Sequence, residues 1–209
     1  MSNDAVSRFR RGMGGRTAFI VSGPSGAGKN TAIDRVVKTV PHLAYSVSCT
    51  TRSRRPGEVD GVDYHYVSHA AFERRVAEGD FLEHATYLGD RYGTSRSQIA
   101  ALFARGDDVI LNIDVEGAKT LRRDTRAGFF AVYVFFTTAS LDSLRARLEE
   151  RGTESPEEIA ARLEVAKREL EALPLFDYLV LNERLEDAVA ELRSIVLAAR
   201  CRVVPGWSG

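Results

Sequence analysis

The sequence predicts an α/β fold with a mainly parallel central sheet flanked by helices. Short apolar runs alternate with stretches of helical period, the pattern of a sheet buried between helices. The first run ends in a glycine-rich turn that opens a helix. The alternation is interrupted twice, once by an aromatic and glycine-rich stretch and once by a pair of charged helices.

Taken in order, Thr17-Ala-Phe-Ile-Val-Ser22 is an apolar strand, and a helix follows from Thr31 to about Thr39. From Tyr45 to about Thr94, β-formers and glycine dominate (Tyr64, Tyr66, Val67, Phe81, Tyr87, Tyr92), with one short helix near Phe72 to Glu78. This stretch reads as a small, mostly β insertion. Val109 to Asp114 is a second buried strand and Phe129 to Phe136 a third. Leu141 to Leu173 holds two charged helices joined by Arg151-Gly-Thr-Glu154. The second of them starts with an N-cap serine, Ser155, then Pro156 and, three residues after the cap, Glu158. Tyr178 to Leu181 is a fourth strand, followed by an amphipathic helix from about Leu185 to Arg200. One domain is expected over 16–204, with a core of 16–44, 95–140 and 174–204, the insertion at about 45–94 and the helical pair at about 141–173. Residues 1–15 and 205–209 read as flexible ends.

A chain of 209 residues, 44% hydrophobic and 28% charged, buries a sizeable core without cross-links. Lys+Arg and Asp+Glu are equal at 29 each, which argues against nucleic acid as a partner. Cys49 and Cys201 form neither a CxxC pair nor a metal spacing. A disulfide is open to them in principle, and two reduced thiols are the expectation. The N-terminal segment has arginines but no apolar signal-peptide core, and no run is long enough to span a membrane. A cytoplasmic protein is expected.

Gly23-Pro24-Ser25-Gly26-Ala27-Gly28-Lys29 follows an apolar strand and opens a helix, the context of a phosphate-binding P-loop. Glycines let successive N–H groups turn inward, the helix N-terminus favours anions, and Lys29 reaches the outer phosphates of a nucleoside triphosphate. The motif asks next for Ser or Thr, whose hydroxyl ligates Mg²⁺; here Asn30 stands, then Thr31. An asparagine carbonyl remains a hard oxygen ligand, one bond longer. The metal site is thereby put in question while the phosphate site is not.

Ser46 to Ser68 packs basic, acidic and aromatic donors together. Arg52 and Arg55 suit bidentate contacts to a phosphate, a tyrosine such as Tyr64 can complete its coordination, and Glu58 can orient a guanidinium.

With its TTR-x-x-RPGE-x-x-GxDYHYVS string the chain resembles the guanylate kinase family, from Ile20 to about Leu197. The resemblance continues through Phe81-Leu-Glu83, Arg91-Tyr92-Gly93-Thr94, Ile113 to Ala118, Arg151-Gly-Thr153 and Val180-Leu-Asn182. It implies an enzyme that phosphorylates GMP, and dGMP more weakly, with ATP and Mg²⁺. It also implies that the insertion is a GMP-binding region and the helical pair a lid. Arg52, Arg55, Tyr64 and Tyr92 would hold the GMP phosphate; Ser48, Glu83 and Thr94 would read the base; Glu58, Gly93 and Asp114 would complete the pocket. Asn182 would lie on the adenine side. Lys29, Arg52 and the lid arginines Arg147, Arg151 and Arg162 would neutralise charge during transfer, with no dedicated catalytic base.

The family usually carries acids at the positions of Asn112 and Asp114, read here as sharing one strand face. Asn30 and Asn112 are therefore weak or indirect candidates for the metal. The alternatives are a catalytically weakened binding module and a P-loop kinase for another small phosphate, such as a ribose bisphosphate. Whether the chain is a monomer or a homo-oligomer is left open.

Overall fold

A computed structural model describes residues 17–87, 89–124, 128–152 and 154–202. The two ends expected to be flexible, the first residue of the expected domain and Thr153 of the Arg151-Gly-Thr motif lie outside the described residues. In chain order the elements begin with β1 (Thr17–Ser22), α1 (Lys29–Thr39), β2 (Leu43–Tyr45), β3 (Cys49–Thr50), β4 (His65–Tyr66) and α2 (His69–Ala77). Then come β5 (Phe81–Tyr87), β6 (Asp90–Ser95), α3 (Arg96–Ala104), β7 (Asp108–Asn112), α4 (Val115–Arg123) and β8 (Phe130–Thr137). Helices α5 (Leu141–Arg151) and α6 (Pro156–Leu170), strand β9 (Tyr178–Leu181) and helix α7 (Leu185–Ala199) complete the described chain.

Five strands form a parallel sheet in the order β2-β7-β1-β8-β9. Strand β1 is central and buried at every residue. Its side chains alternate between two cores, as the period of two demands. Phe19 and Val21 pack with Ile33 and Val36 of α1 and Leu192 of α7. Ala18 and Ile20 pack with Leu111, Ile99 of α3 and Leu121 of α4. Each fully buried large side chain stabilises the fold by roughly 1.5–3 kcal/mol. Truncating Phe19 to Ala would cost about 3–5 kcal/mol.

The stretch read as a β insertion forms a second sheet, β4-β3-β6-β5, in which β6 runs antiparallel to β3 and β5. Its small core is Cys49, Phe72 and Phe81, with the two phenyl rings stacked at 4.4 Å. The switch between sheets falls between Tyr45, still in the main sheet, and Cys49. Both cysteines are free thiols.

Two boundaries differ from the sequence reading in a way that bears on the site. Helix α1 starts at Lys29, because Gly28 adopts the left-handed conformation (φ 94°) and serves as its N-cap. The second strand stops at Asn112, so strand alternation does not extend to Asp114. Asp114 instead caps α4, its side chain accepting from the Gly117 N–H at 2.6 Å. Positions 112 and 114 therefore do not share a strand face: a cap residue belongs to the next element.

The helical pair packs on Leu144, Leu148, Ile159 and Leu163. The expected helix start is a full capping box, with Glu158 N–H donating to Ser155 Oγ (3.3 Å) and Ser155 N–H to Glu158 Oε2 (2.7 Å). Elements β2, α3 and α4 were not distinguished in the sequence. Among the described residues no helix is long and apolar enough to cross a membrane.

Candidate active site

The phosphate loop is assembled mainly by backbone. Gly23 (φ 134°) passes so close to β8 that a Cβ there would lie 2.2 Å from the Phe136 carbonyl oxygen, so only glycine fits. Lys29 folds back, its Nζ donating to the carbonyls of Gly23 (2.5 Å) and Pro24 (2.9 Å). Burial holds its pKa below that of an ordinary lysine, opposed by the carboxylates of Glu169 and Asp114. Asn182 Nδ2 donates to the Ala27 carbonyl (2.7 Å), while Asn182 Oδ1 is buried without a hydrogen-bond partner. Gly26 lies against Leu148, and Thr31 is exposed on the first turn of α1.

Two of the three arginines expected in a lid reach the phosphate loop. Arg147 donates to the carbonyls of Ala27 (3.2 Å) and Asn182 (2.5 Å), stapling the phosphate loop to the segment after β9. Arg162 reaches Ser25 Oγ at 2.9 Å and pairs with Glu154 at 3.5 Å. Arg151 is largely exposed, with Glu154 at 3.9 Å.

Across the cleft, side chains hold side chains. Glu58 binds Arg52 in a fork, Oε1 accepting from Nη2 at 2.8 Å and Oε2 from Nη1 at 3.0 Å. The same carboxylate accepts from the Tyr66 hydroxyl and the Arg55 N–H, both at 2.7 Å. Chiefly the Arg52 hydrogen bonds hold the Glu58 carboxyl down to about 2. Arg52 lies over the rings of Tyr64 (5.4 Å) and Tyr66 (5.8 Å), and Tyr64 meets Tyr92 edge-on at 5.8 Å. Nη1 of Arg52 also donates to the Ser53 carbonyl at 2.8 Å, and a further side-chain hydrogen bond joins Arg52 to Tyr92. The side chain of Arg55 is exposed.

Glu83 is buried at 8% exposure on β5. Its Oε1 accepts from Thr94 Oγ1 at 2.6 Å. Its Oε2 approaches Gly117 so closely that a Cβ there would be 2.7 Å away, with Asp114 Oδ1 at 3.3 Å from the same point. Burial pushes the Glu83 carboxyl up to about 7; the Thr94 hydrogen bond opposes this and Asp114 adds to it. Ser48 is buried on the same insertion. Gly93 is glycine for packing, since a Cβ would strike the Phe81 ring at 2.7 Å.

Asn30 and Asn112 touch: Asn112 Nδ2 donates to Asn30 Oδ1. The one side-chain oxygen at position 30 is thus engaged by an amide. Among the described residues no group of three or more His, Cys, Asp or Glu could hold a metal. The Asn30–Asn112 pair offers a Mg²⁺ ion neither a hydroxyl nor a carboxylate.

Sequence reasoning missed Tyr66 as a partner of Glu58, Gly117 as the surface behind Glu83, and the Asn30–Asn112 contact. Tyr66 lay inside the quoted string and could have been found there. The other two depend on approaches between distant segments.

A sequence model described as guanylate kinase matches residues 15–199. The chain belongs to the guanylate kinase family. It is 46% identical over 192 residues to the guanylate kinase of Thermus thermophilus, covering 92% of this chain and 84% of that one. It is 45% identical over 186 residues to that of Symbiobacterium thermophilum, covering 89% and 87%. Its structure is similar to the crystal structure of guanylate kinase from Anaplasma phagocytophilum, with a TM-score of 0.72, 27% identity, and coverage of 90% of this chain and 87% of that one. This guanylate kinase family member thus shares both sequence and architecture with enzymes along most of its length.

Proposed function

We infer that this chain is a guanylate kinase that transfers a phosphoryl group from ATP to GMP, with dGMP a poorer acceptor, in cytoplasmic purine nucleotide metabolism. The observation that carries the substrate assignment is the buried Glu83 carboxylate, held by Thr94 against Gly117. A carboxylate there accepts from the N1–H and exocyclic amine of guanine and repels the bare N1 of adenine. Buried polar groups left without a partner can discriminate by about 10⁴ to 10⁵.

The triphosphate of ATP lies along the Gly23–Lys29 loop at the N-terminus of α1. Lys29 leaves the Gly23 and Pro24 carbonyls for the outer phosphates. The small sheet between about 45 and 94 takes GMP, with Arg52, Arg55, Tyr64 and Tyr92 around its phosphate, Ser48, Glu83 and Thr94 at its base, and Asp114 nearby. Glu58 orients the Arg52 guanidinium through its fork of two hydrogen bonds. The helical pair at about 141–173 closes as a lid, bringing Arg151 and Arg162 to the developing charge and excluding water. Arg147 and Asn182 support the loop from the adenine side. The GMP phosphate is itself the nucleophile, since its second pKa is near 6. Mg²⁺ accompanies ATP as the co-substrate's counterion.

The test is ADP release with GMP, AMP, CMP and UMP as acceptors. GMP should support turnover at least about a hundredfold faster than AMP at equal concentration. Equal rates would overturn the assignment of the pocket.

A further inference from the structure

Asn30 and Asn112 stand 82 residues apart and meet through the fold. Strands β1 and β7 run in parallel register with Val21 opposite Asn112, and α1 begins one loop beyond β1. Asn30, the second residue of that helix, sits beside Lys29 and above the end of β7.

The chemistry of the pair differs from that of a metal-ligating pair in two respects. Its hydrogen bond uses the Asn30 carbonyl, which leaves the Asn30 NH₂, a donor suited to phosphate oxygen and not to a cation. The pair also carries no charge, whereas a carboxylate at position 112 would stand close to a triphosphate and repel it unless a cation lay between them.

We propose that the Asn30–Asn112 pair is an uncharged, hydrogen-bonded element that lessens the dependence of triphosphate binding on Mg²⁺, given the reading that ATP occupies the Gly23–Lys29 loop. It adds a neutral donor and omits a repelling carboxylate. The two side chains act as a unit because each orients the other.

The experiment is calorimetric titration of ATP into the full chain, in excess Mg²⁺ and separately in EDTA, for the parent, Asn30→Ser, Asn112→Asp and the double variant. The expected loss for Asn112→Asp in EDTA is about fivefold or more, with less than about a twofold change in Mg²⁺. The loss for the double variant should depart from the product of the single losses, as for residues in contact. Asn112→Ser, which breaks the contact without adding charge, should lose less in EDTA than Asn112→Asp. Asn30→Asp places the charge on the other partner and replaces Asn112→Asp should that variant not fold. An unchanged ratio of affinities in Mg²⁺ and EDTA across these proteins overturns the proposal, as do equal losses for Asn112→Ser and Asn112→Asp. Lys29→Met separates this from the functional reading: if it leaves ATP binding intact in both conditions, the triphosphate does not lie on this loop and the functional reading itself fails.

Discussion

The two ends of the cleft are built differently. At the donor end the functional geometry is backbone: glycines at positive φ, carbonyls gripped by Lys29, Arg147 and Asn182, and a helix N-terminus. At the acceptor end it is side chain on side chain: Glu58 in a fork with Arg52 and under Tyr66, and Thr94 on Glu83. A backbone site binds any triphosphate and tolerates a changed side chain at its edge, such as Asn30. A side-chain network is selective, and removing one member leaves the others without partners. Under the proposed function, general affinity lies at one end and choice of substrate at the other.

The sharpest way to break this contrast is at the donor end. Lys29→Met should lower turnover by about 10²- to 10³-fold for GMP and dGMP alike, because it removes a charged group aimed at the transferring phosphate. Rates measured with both acceptors decide it; a loss confined to one acceptor would contradict the division. At the acceptor end, Glu83→Gln should cut the GMP-over-AMP preference by about a hundredfold, mainly through GMP, while ATP affinity stays within about twofold. Parallel titrations of both nucleotides measure it.

Smaller effects sharpen the picture. Arg52→Ala or Arg55→Ala should weaken GMP by about tenfold, the worth of a charge-assisted hydrogen bond, with ATP binding little changed. Glu58→Gln should move GMP in the same direction by less, since Arg52 remains but loses its charged partner.

The last effect is a pH dependence. In the unliganded protein burial pushes the Glu83 carboxyl up to about 7, and guanine bound as proposed requires its ionised form. Apparent GMP affinity should therefore fall as pH drops below about 7, by up to about tenfold per unit, and Glu83→Gln should flatten that profile. The sign for stability is opposite. A carboxyl with a raised folded-state pKa favours the folded state most below about 4.5, and this contribution is lost as pH rises through about 7. Melting temperatures of parent and Glu83→Gln across that window check it.

Much of this was legible in the sequence because the relevant residues are neighbours there. The apolar strand, the glycine string and the capping box at Ser155 are local signals, and each formed where local physics put it. Arg52 and Glu58 are close enough in sequence for their fork to be foreseen. Asp114 was misplaced because an alternation valid inside a strand was carried two residues past its end, into a helix cap. Arg147, expected among the lid arginines, lies against the Ala27 and Asn182 carbonyls, a partnership no sequence period encodes. Gly117 and the two asparagines gain their meaning only from the packing of α4 on β5 and the register of β1 with β7.

The approach of Glu83 to Gly117 gives the pocket one jaw on the small sheet and the other on the helix that follows the main sheet. Under the proposed function, a base read at Glu83 also meets the helix that follows the main sheet, so its pocket draws on both sheets. Recognition of the base and seating of the small sheet then draw on a single free energy, and linkage makes them reciprocal. On that reading, whatever holds the sheets in the arrangement that fits guanine tightens guanine, and guanine in turn holds them there.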